Sequence, residues 1–107
     1  MLLQNRYELK EEKGSGTFGV TYLATDHGMP SKPDRIIKKL NYKGTAKAWE
    51  QAKRLFEEEA KALETLGNHP QIPTLYEYFT QTNAFYLALE YIPGGLRENK
   101  IPVNWEQ

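Results

Sequence analysis

The sequence predicts an α+β domain, a five-stranded antiparallel sheet carrying one packed helix. Three observations lead there. Short runs of alternating apolar and polar residues occur in the order three strands, one helix, two strands. The links between them are short, which favours antiparallel neighbours. One segment, 45–66, has helical rather than strand periodicity, so a single helix must cover the sheet.

Each element has its own signal. Tyr7 to Lys13 reads as a charged strand with Tyr7 and Leu9 on one face. Glycines 14, 16 and 19 follow, and then Val20 to Thr25 reads as a second strand. Tyr22 and Ala24 share one of its faces, Thr21 and Leu23 the other. Asp26 to Pro33 contains Gly28, Pro30 and Pro33 and is predicted as a loop. Arg35 to Leu40 is the third strand.

Thr45 to Leu66 is the helix. At ~100° per residue, Trp49, Ala52, Phe56, Leu63 and Leu66 fall on one stripe, and Glu59 lies inside it. Gly67-Asn68 with Pro70 beyond is a helix stop. Leu75 to Thr80 and Ala84 to Tyr91 form two further strands around Gln81-Thr82-Asn83, a hairpin turn. Pro93-Gly94-Gly95 ends the pattern, which divides the chain into a domain over 1–95 and a tail over 96–107 without strong periodicity.

Bulk properties bound the function. At 107 residues there is room for one small domain. Fourteen basic and fourteen acidic residues cancel, so no net field recruits nucleic acid or anionic membrane. Neither is expected as a partner. The chain has no cysteine, which excludes disulfides, thiolate catalysis and cysteine zinc sites and fits a reducing cytoplasm. No signal peptide is visible, and no run approaches the ~20 apolar residues of a membrane span.

Three features carry chemistry. In Gly14-Ser15-Gly16-Thr17-Phe18-Gly19 the glycines lack a Cβ, so backbone N–H groups can approach phosphate oxygens. A strand follows, which makes the loop a hairpin flap rather than the opening of a dinucleotide-binding helix. A plain turn rich in glycine would read the same way. Lys38 shares a strand face with Ile36 and Leu40, a poor place for an ammonium unless it meets an anion. An edge lysine snorkelling to water is the plainer reading, and Lys39 on the opposite face is a rival. Glu59 sits within an apolar helical stripe, where a carboxylate is costly to bury unpaired. It either meets a base from the sheet or is exposed at the edge of the stripe.

Together, and in this order, the three features resemble the small lobe of a protein kinase, in which a strand lysine holds the α/β-phosphates and pairs with a helix glutamate. The resemblance extends over Tyr7 to Gly95. Phe18 would be the aromatic at the loop tip. Leu66-Gly67-Asn68-His69-Pro70-Gln71-Ile72-Pro73 looks like the helix-to-strand link. Phe85 to Gly95 looks like the fifth strand and hinge, with Leu89 as gatekeeper and Glu90 and Ile92 offering backbone groups to adenine. The His-Pro-Gln-Ile-Pro wording and the proline-bearing loop before Arg35 are similar to cyanobacterial Ser/Thr kinases. The cofactor implied is ATP, with Mg²⁺ only if a large lobe is supplied. The implied site is Gly14, Ser15, Gly16, Thr17, Phe18, Gly19, Thr21, Ile36, Lys38, Glu59, Leu89, Glu90 and Ile92.

The chain also departs from the family. Lys13 stands where an aliphatic residue is usual, Thr21 where valine is, and Ile36 where the small alanine of V-A-I-K is. H-R-D and D-F-G motifs are absent. The two aspartates, Asp26 and Asp34, lack the right neighbours, so no catalytic base and no metal ligand is assigned. Trp105-Glu106-Gln107 resembles the lead-in to the large lobe. The expectation is therefore a small lobe that does not transfer phosphate alone, partnered by a kinase large lobe or another kinase chain. A docking or regulatory module, or a non-functional truncated remnant, are the alternatives.

Overall fold

A computed structural model describes residues 2–15, 19–40, 45–66 and 72–92. The elements run β1 (Tyr7–Ser15), β2 (Gly19–Asp26), β3 (Asp34–Leu40), α1 (Ala46–Thr65), β4 (Leu75–Gln81) and β5 (Ala84–Glu90). The strands form one sheet in the order β1-β2-β3-β5-β4, every pairing antiparallel. This is the α+β layering expected.

Strand alternation sends apolar side chains to both faces of the sheet. Ile36, Leu40, Leu87 and Leu89 face α1 and pack with Ala52, Phe56, Ala60 and Leu63. Ile37, Ala24, Ala88 and Tyr86 face the other way and pack with Tyr7, Phe79 and Leu3. On this second face the sheet curls until its two edge strands meet. The Tyr7 ring of β1 stacks on Phe79 of β4 at 6.0 Å, and the Tyr7 hydroxyl donates to Glu77 Oε1 at 2.5 Å. Gln4, just before β1, donates its N–H to Gln81 Oε1 at 2.8 Å. Burial and the neighbouring Glu77 carboxylate both push the Tyr7 phenol pKa upward, so it stays a donor.

Helix α1 begins where its cap dictates. Thr45 is extended, with φ −70° and ψ 159°, and its Oγ1 accepts from the Ala48 N–H at 3.1 Å. The helix runs from Ala46 to Thr65, so the expected span loses its first and last positions to the two caps. Leu66 leaves helical phase as the C-cap and is 38% exposed rather than part of the buried stripe. Ala60 joins the stripe in its place. The stop residues Gly67, Asn68 and Pro70 lie outside the described residues, as does the tail from 93 onward.

Tyr7 and Leu9 run in unbroken register against Asp26 and Ala24 and share a face as read; Tyr7 is buried, and Leu9, farther along the outer strand, is 37% exposed. One other expectation changes. Asp26 is no loop residue. It closes β2, pairs with Tyr7 across the ladder, and is fully buried. The hairpin turn is as read: Thr82 and Asn83 both have positive φ, 51° and 63°, and Gln81 pairs with Ala84.

Candidate nucleotide site

The ladder sets the geometry. Gly14 of β1 pairs with Thr21 of β2, Thr21 with Lys38 of β3, and Lys38 with Leu87 of β5. These residues form one row across the sheet. At ~4.8 Å per strand, the first glycine of the loop lies two strands, about 10 Å, from the lysine backbone. In a second row, Ile36 is flanked by Leu23 and Leu89.

Lys38 lies on the helix side, between Ile36 and Leu40. Its Nζ donates to Glu59 Oε2 at 2.9 Å. The side chains are 1% and 0% exposed. This resolves the three readings left open by the sequence: Lys38 does not snorkel, Glu59 is not at the stripe's edge, and Lys39 is not the partner. The two charges must be buried together. Removing either from water alone costs several kcal/mol, which their mutual attraction at this distance helps to offset.

The remaining candidates fall around this pair. Thr21, Ile36 and Leu89 are buried at 8%, 5% and 1% exposure. Gly19 is buried at the start of β2, and Ser15 is exposed at the end of β1. A Cβ added at Gly14 would meet nothing within 4 Å, so that backbone is open to approach. Gly16, Thr17 and Phe18 lie outside the described residues. Glu90 donates its N–H to the Thr74 carbonyl at 2.9 Å, and its carboxylate accepts from the Thr74 N–H at 3.1 Å. Ile92 follows β5 and is half-buried. Lys13 is exposed, its ammonium 3.6 Å from Glu11. An ammonium fixed beside apolar residues and in line with an open glycine backbone suits a phosphorylated, ring-bearing ligand in its donor chemistry. Among the described residues no cluster of three or more His, Asp or Glu could hold a metal. No helix described is long and apolar enough to cross a membrane.

One buried constellation was missed. Asp26 accepts from Arg6 Nε at 2.7 Å, Arg6 Nη2 at 2.9 Å, Arg35 Nε at 3.1 Å and the Gly28 N–H at 2.9 Å. Arg35 also lies over the Tyr76 ring, 4.0 Å from its centroid. The Arg6 hydrogen bonds, foremost, hold the Asp26 carboxyl below the usual carboxylate range, against the opposing effect of burial. The available signal was Asp26-His27-Gly28, an aspartate two residues before a glycine, which is Asx-turn chemistry.

Comparison with known proteins agrees with this arrangement. The family model for the protein kinase domain matches residues 7–104. Serine/threonine-protein kinase D of Synechocystis is 43% identical over 106 residues, covering 96% of this chain and 21% of that protein. Serine/threonine-protein kinase C of the same organism is 46% identical over 97 residues, covering 87% and 18%. Serine/threonine-protein kinase PknA of Nostoc is 40% identical over 95 residues, covering 87% and 17%. The chain thus spans about a fifth of the length of these relatives and corresponds to their small-lobe region. With the sheet order, the single helix and the buried Lys38–Glu59 pair, these matches place the chain in the protein kinase domain family.

Proposed function

We propose that this chain is the ATP-binding lobe of a serine/threonine protein kinase. The observation that supports this best is the buried 2.9 Å contact between Lys38 and Glu59, in one row with Gly14. In this reading the backbone N–H groups of the 14–19 loop cover the phosphates, with Ser15, Thr17 and Phe18 shaping its tip. Lys38 Nζ holds the α/β-phosphate oxygens, and Glu59 keeps that ammonium in place. Thr21, Ile36 and Leu89 line the adenine ring, the Glu90 carbonyl accepts from its amino group, and the Ile92 backbone meets the adjoining edge. Bound ATP supplies the phosphoryl group to be transferred. Mg²⁺ ligands and the catalytic aspartate come from a kinase large lobe, the partner this reading requires. The phosphorylation of serine or threonine follows from what the similar proteins are named. The absence of cysteine favours a cytoplasmic setting.

The test is a titration of the ¹⁵N-labelled chain with ATP. Shifts are expected at Gly14, Thr21, Lys38 and Glu90. With much of the ligand left in water, the dissociation constant should be roughly millimolar or weaker, worth about 4 kcal/mol or less. Lys38→Met should weaken it further. Shifts confined to other surfaces, or binding untouched by Lys38→Met, would overturn the assignment.

A further inference from the structure

The row beside that of Lys38 contains no small residue. Ile36 of β3 stands there between Leu23 of β2 and Leu89 of β5. It lies on the face of Lys38, two residues along the strand, about 7 Å away. In the other direction Leu40 pairs with Gly19, where the 14–19 loop joins β2. A ligand whose phosphates sit between Lys38 and Gly14 therefore extends toward Ile36, away from the loop. The shape of the Leu23–Ile36–Leu89 row decides what can be held there.

Cross-strand neighbours place their Cβ atoms about 5 Å apart, so three branched side chains stand side by side over roughly 10 Å. An alanine at the centre would leave a slot between the two leucines, deep enough for the edge of a planar ring. Isoleucine puts a branched butyl group there instead. It cannot step aside, because β-branching restricts its χ1 and its surroundings are packed. Ile36 is 5% exposed and shares a cluster with Leu40, Leu87, Leu89, Phe56 and Leu63. Nor does the row offer a hydrogen bond by which one base could be told from another. Leu23, Ile36 and Leu89 have no polar side-chain atom, and the Glu90 N–H at the end of β5 is already given to the Thr74 carbonyl. A base laid on this ridge gains little, whereas Lys38 and the loop N–H groups attract any phosphate chain.

We propose, on the nucleotide reading above, that Ile36 fills the slot for the base, so that this chain recognises a polyphosphate with little regard to the base it carries. ATP, GTP and inorganic tripolyphosphate are then near-equal ligands. Ile36 is the residue that sets this indifference.

The test titrates the ¹⁵N-labelled chain with ATP, GTP and sodium tripolyphosphate at equal ionic strength. The three dissociation constants should agree within about threefold, with shared shifts at Gly14, Thr21 and Lys38 that Lys38→Met removes. Ile36→Val removes a single methyl group and should tighten ATP by about fourfold. Ile36→Ala should tighten it by about tenfold or more. Neither should change the affinity for tripolyphosphate. The milder Ile36→Val decides the matter if Ile36→Ala fails to fold. Ile37→Val is the control, since Ile37 is buried on the opposite face, and it should change neither ligand. Parent affinity for ATP tenfold or more above that for tripolyphosphate would overturn the proposal while leaving the Lys38 site standing. So would an Ile36→Val chain that gains nothing for ATP, gains equally for tripolyphosphate, or is matched by Ile37→Val. Absence of Lys38-dependent shifts with all three ligands would overturn the nucleotide reading itself, and this inference with it.

Discussion

The Arg6 guanidinium grips both oxygens of the Asp26 carboxylate, at 2.7 and 2.9 Å, and thereby fastens the segment before β1 to the end of β2. Arg35 contacts the same carboxylate from β3, and Arg6 also lies 3.5 Å from Glu77 of β4. One buried anion thus helps to tie both edges of the curled sheet. Because its folded pKa is lowered, Asp26 contributes stability above its unfolded pKa of about 4, and that contribution is lost as pH falls through the lower folded value. Unfolding midpoints in urea should therefore fall on acidification from about pH 5. Asp26→Asn should cost about 3 kcal/mol at neutral pH and flatten that dependence. An unchanged pH profile in the variant would place the acid sensitivity elsewhere.

Gly28 is where this clasp admits no side chain. A Cβ there would lie 2.6 Å from Arg6 Nε and 2.8 Å from its Cδ. Arg6 is held at both ends of its fork and cannot yield without releasing Asp26. Gly28→Ala should cost about 1–3 kcal/mol, as overpacking does. Most of that cost should vanish in an Arg6→Ala background, giving a large coupling in a double-mutant cycle. Additive losses would mean that something other than Arg6 excludes the methyl group.

The fold was legible because its signals are periodic. Alternation put Ile36, Lys38 and Leu40 on one face, and helical spacing put Glu59 inside the apolar stripe, while the pairing of the two charges was what the resemblance to a kinase small lobe implied. The Asp26 clasp was illegible for the opposite reason. Arg6 and Arg35 reach Asp26 from the ladders on its two sides, and Glu77 joins them only through the curl of the sheet, which no single strand encodes. Leu66 misled because it keeps the helical phase in sequence while the helix has already ended.

The N-cap gives a local test of α1. Thr45 Oγ1 accepts from the Ala48 N–H in the first turn, which has no acidic residue to complement the helix dipole. Thr45→Ala should cost about 1 kcal/mol, and Thr45→Asp should restore it or improve on it. Thermal unfolding of the three proteins measures this directly. Equal midpoints would show that tertiary packing alone sets the helix start.

Phosphotransfer is a different matter from binding. The 107 residues contain two aspartates. One, Asp26, is locked between arginines, and the other, Asp34, is half-exposed and 3.0 Å from Lys10 at the start of β3. Neither is placed as a base beside Lys38. With ATP and Mg²⁺ the purified chain should transfer no phosphate to itself or to generic substrates. Incorporation of radiolabelled phosphate that Lys38→Ala abolishes would refute this.

The Lys38–Glu59 pair should behave as a buried pair, costly to break and cheap to replace. Lys38→Met leaves the Glu59 carboxylate without its ammonium among Ile36, Leu40 and Phe56, and Glu59→Leu does the converse. Each single variant should lose about 3 kcal/mol in urea unfolding, because an uncompensated charge then sits in the core. Lys38→Met combined with Glu59→Leu should recover most of that loss and can exceed the parent, since two apolar side chains fill the same space without desolvation. The double variant should nevertheless lose the ATP-dependent shifts at Gly14 and Thr21. Recovery of stability together with loss of nucleotide response would separate the two roles of the pair: it is kept for the phosphate, at some expense to the fold. A double variant that still binds ATP as the parent does would detach the nucleotide site from Lys38 altogether.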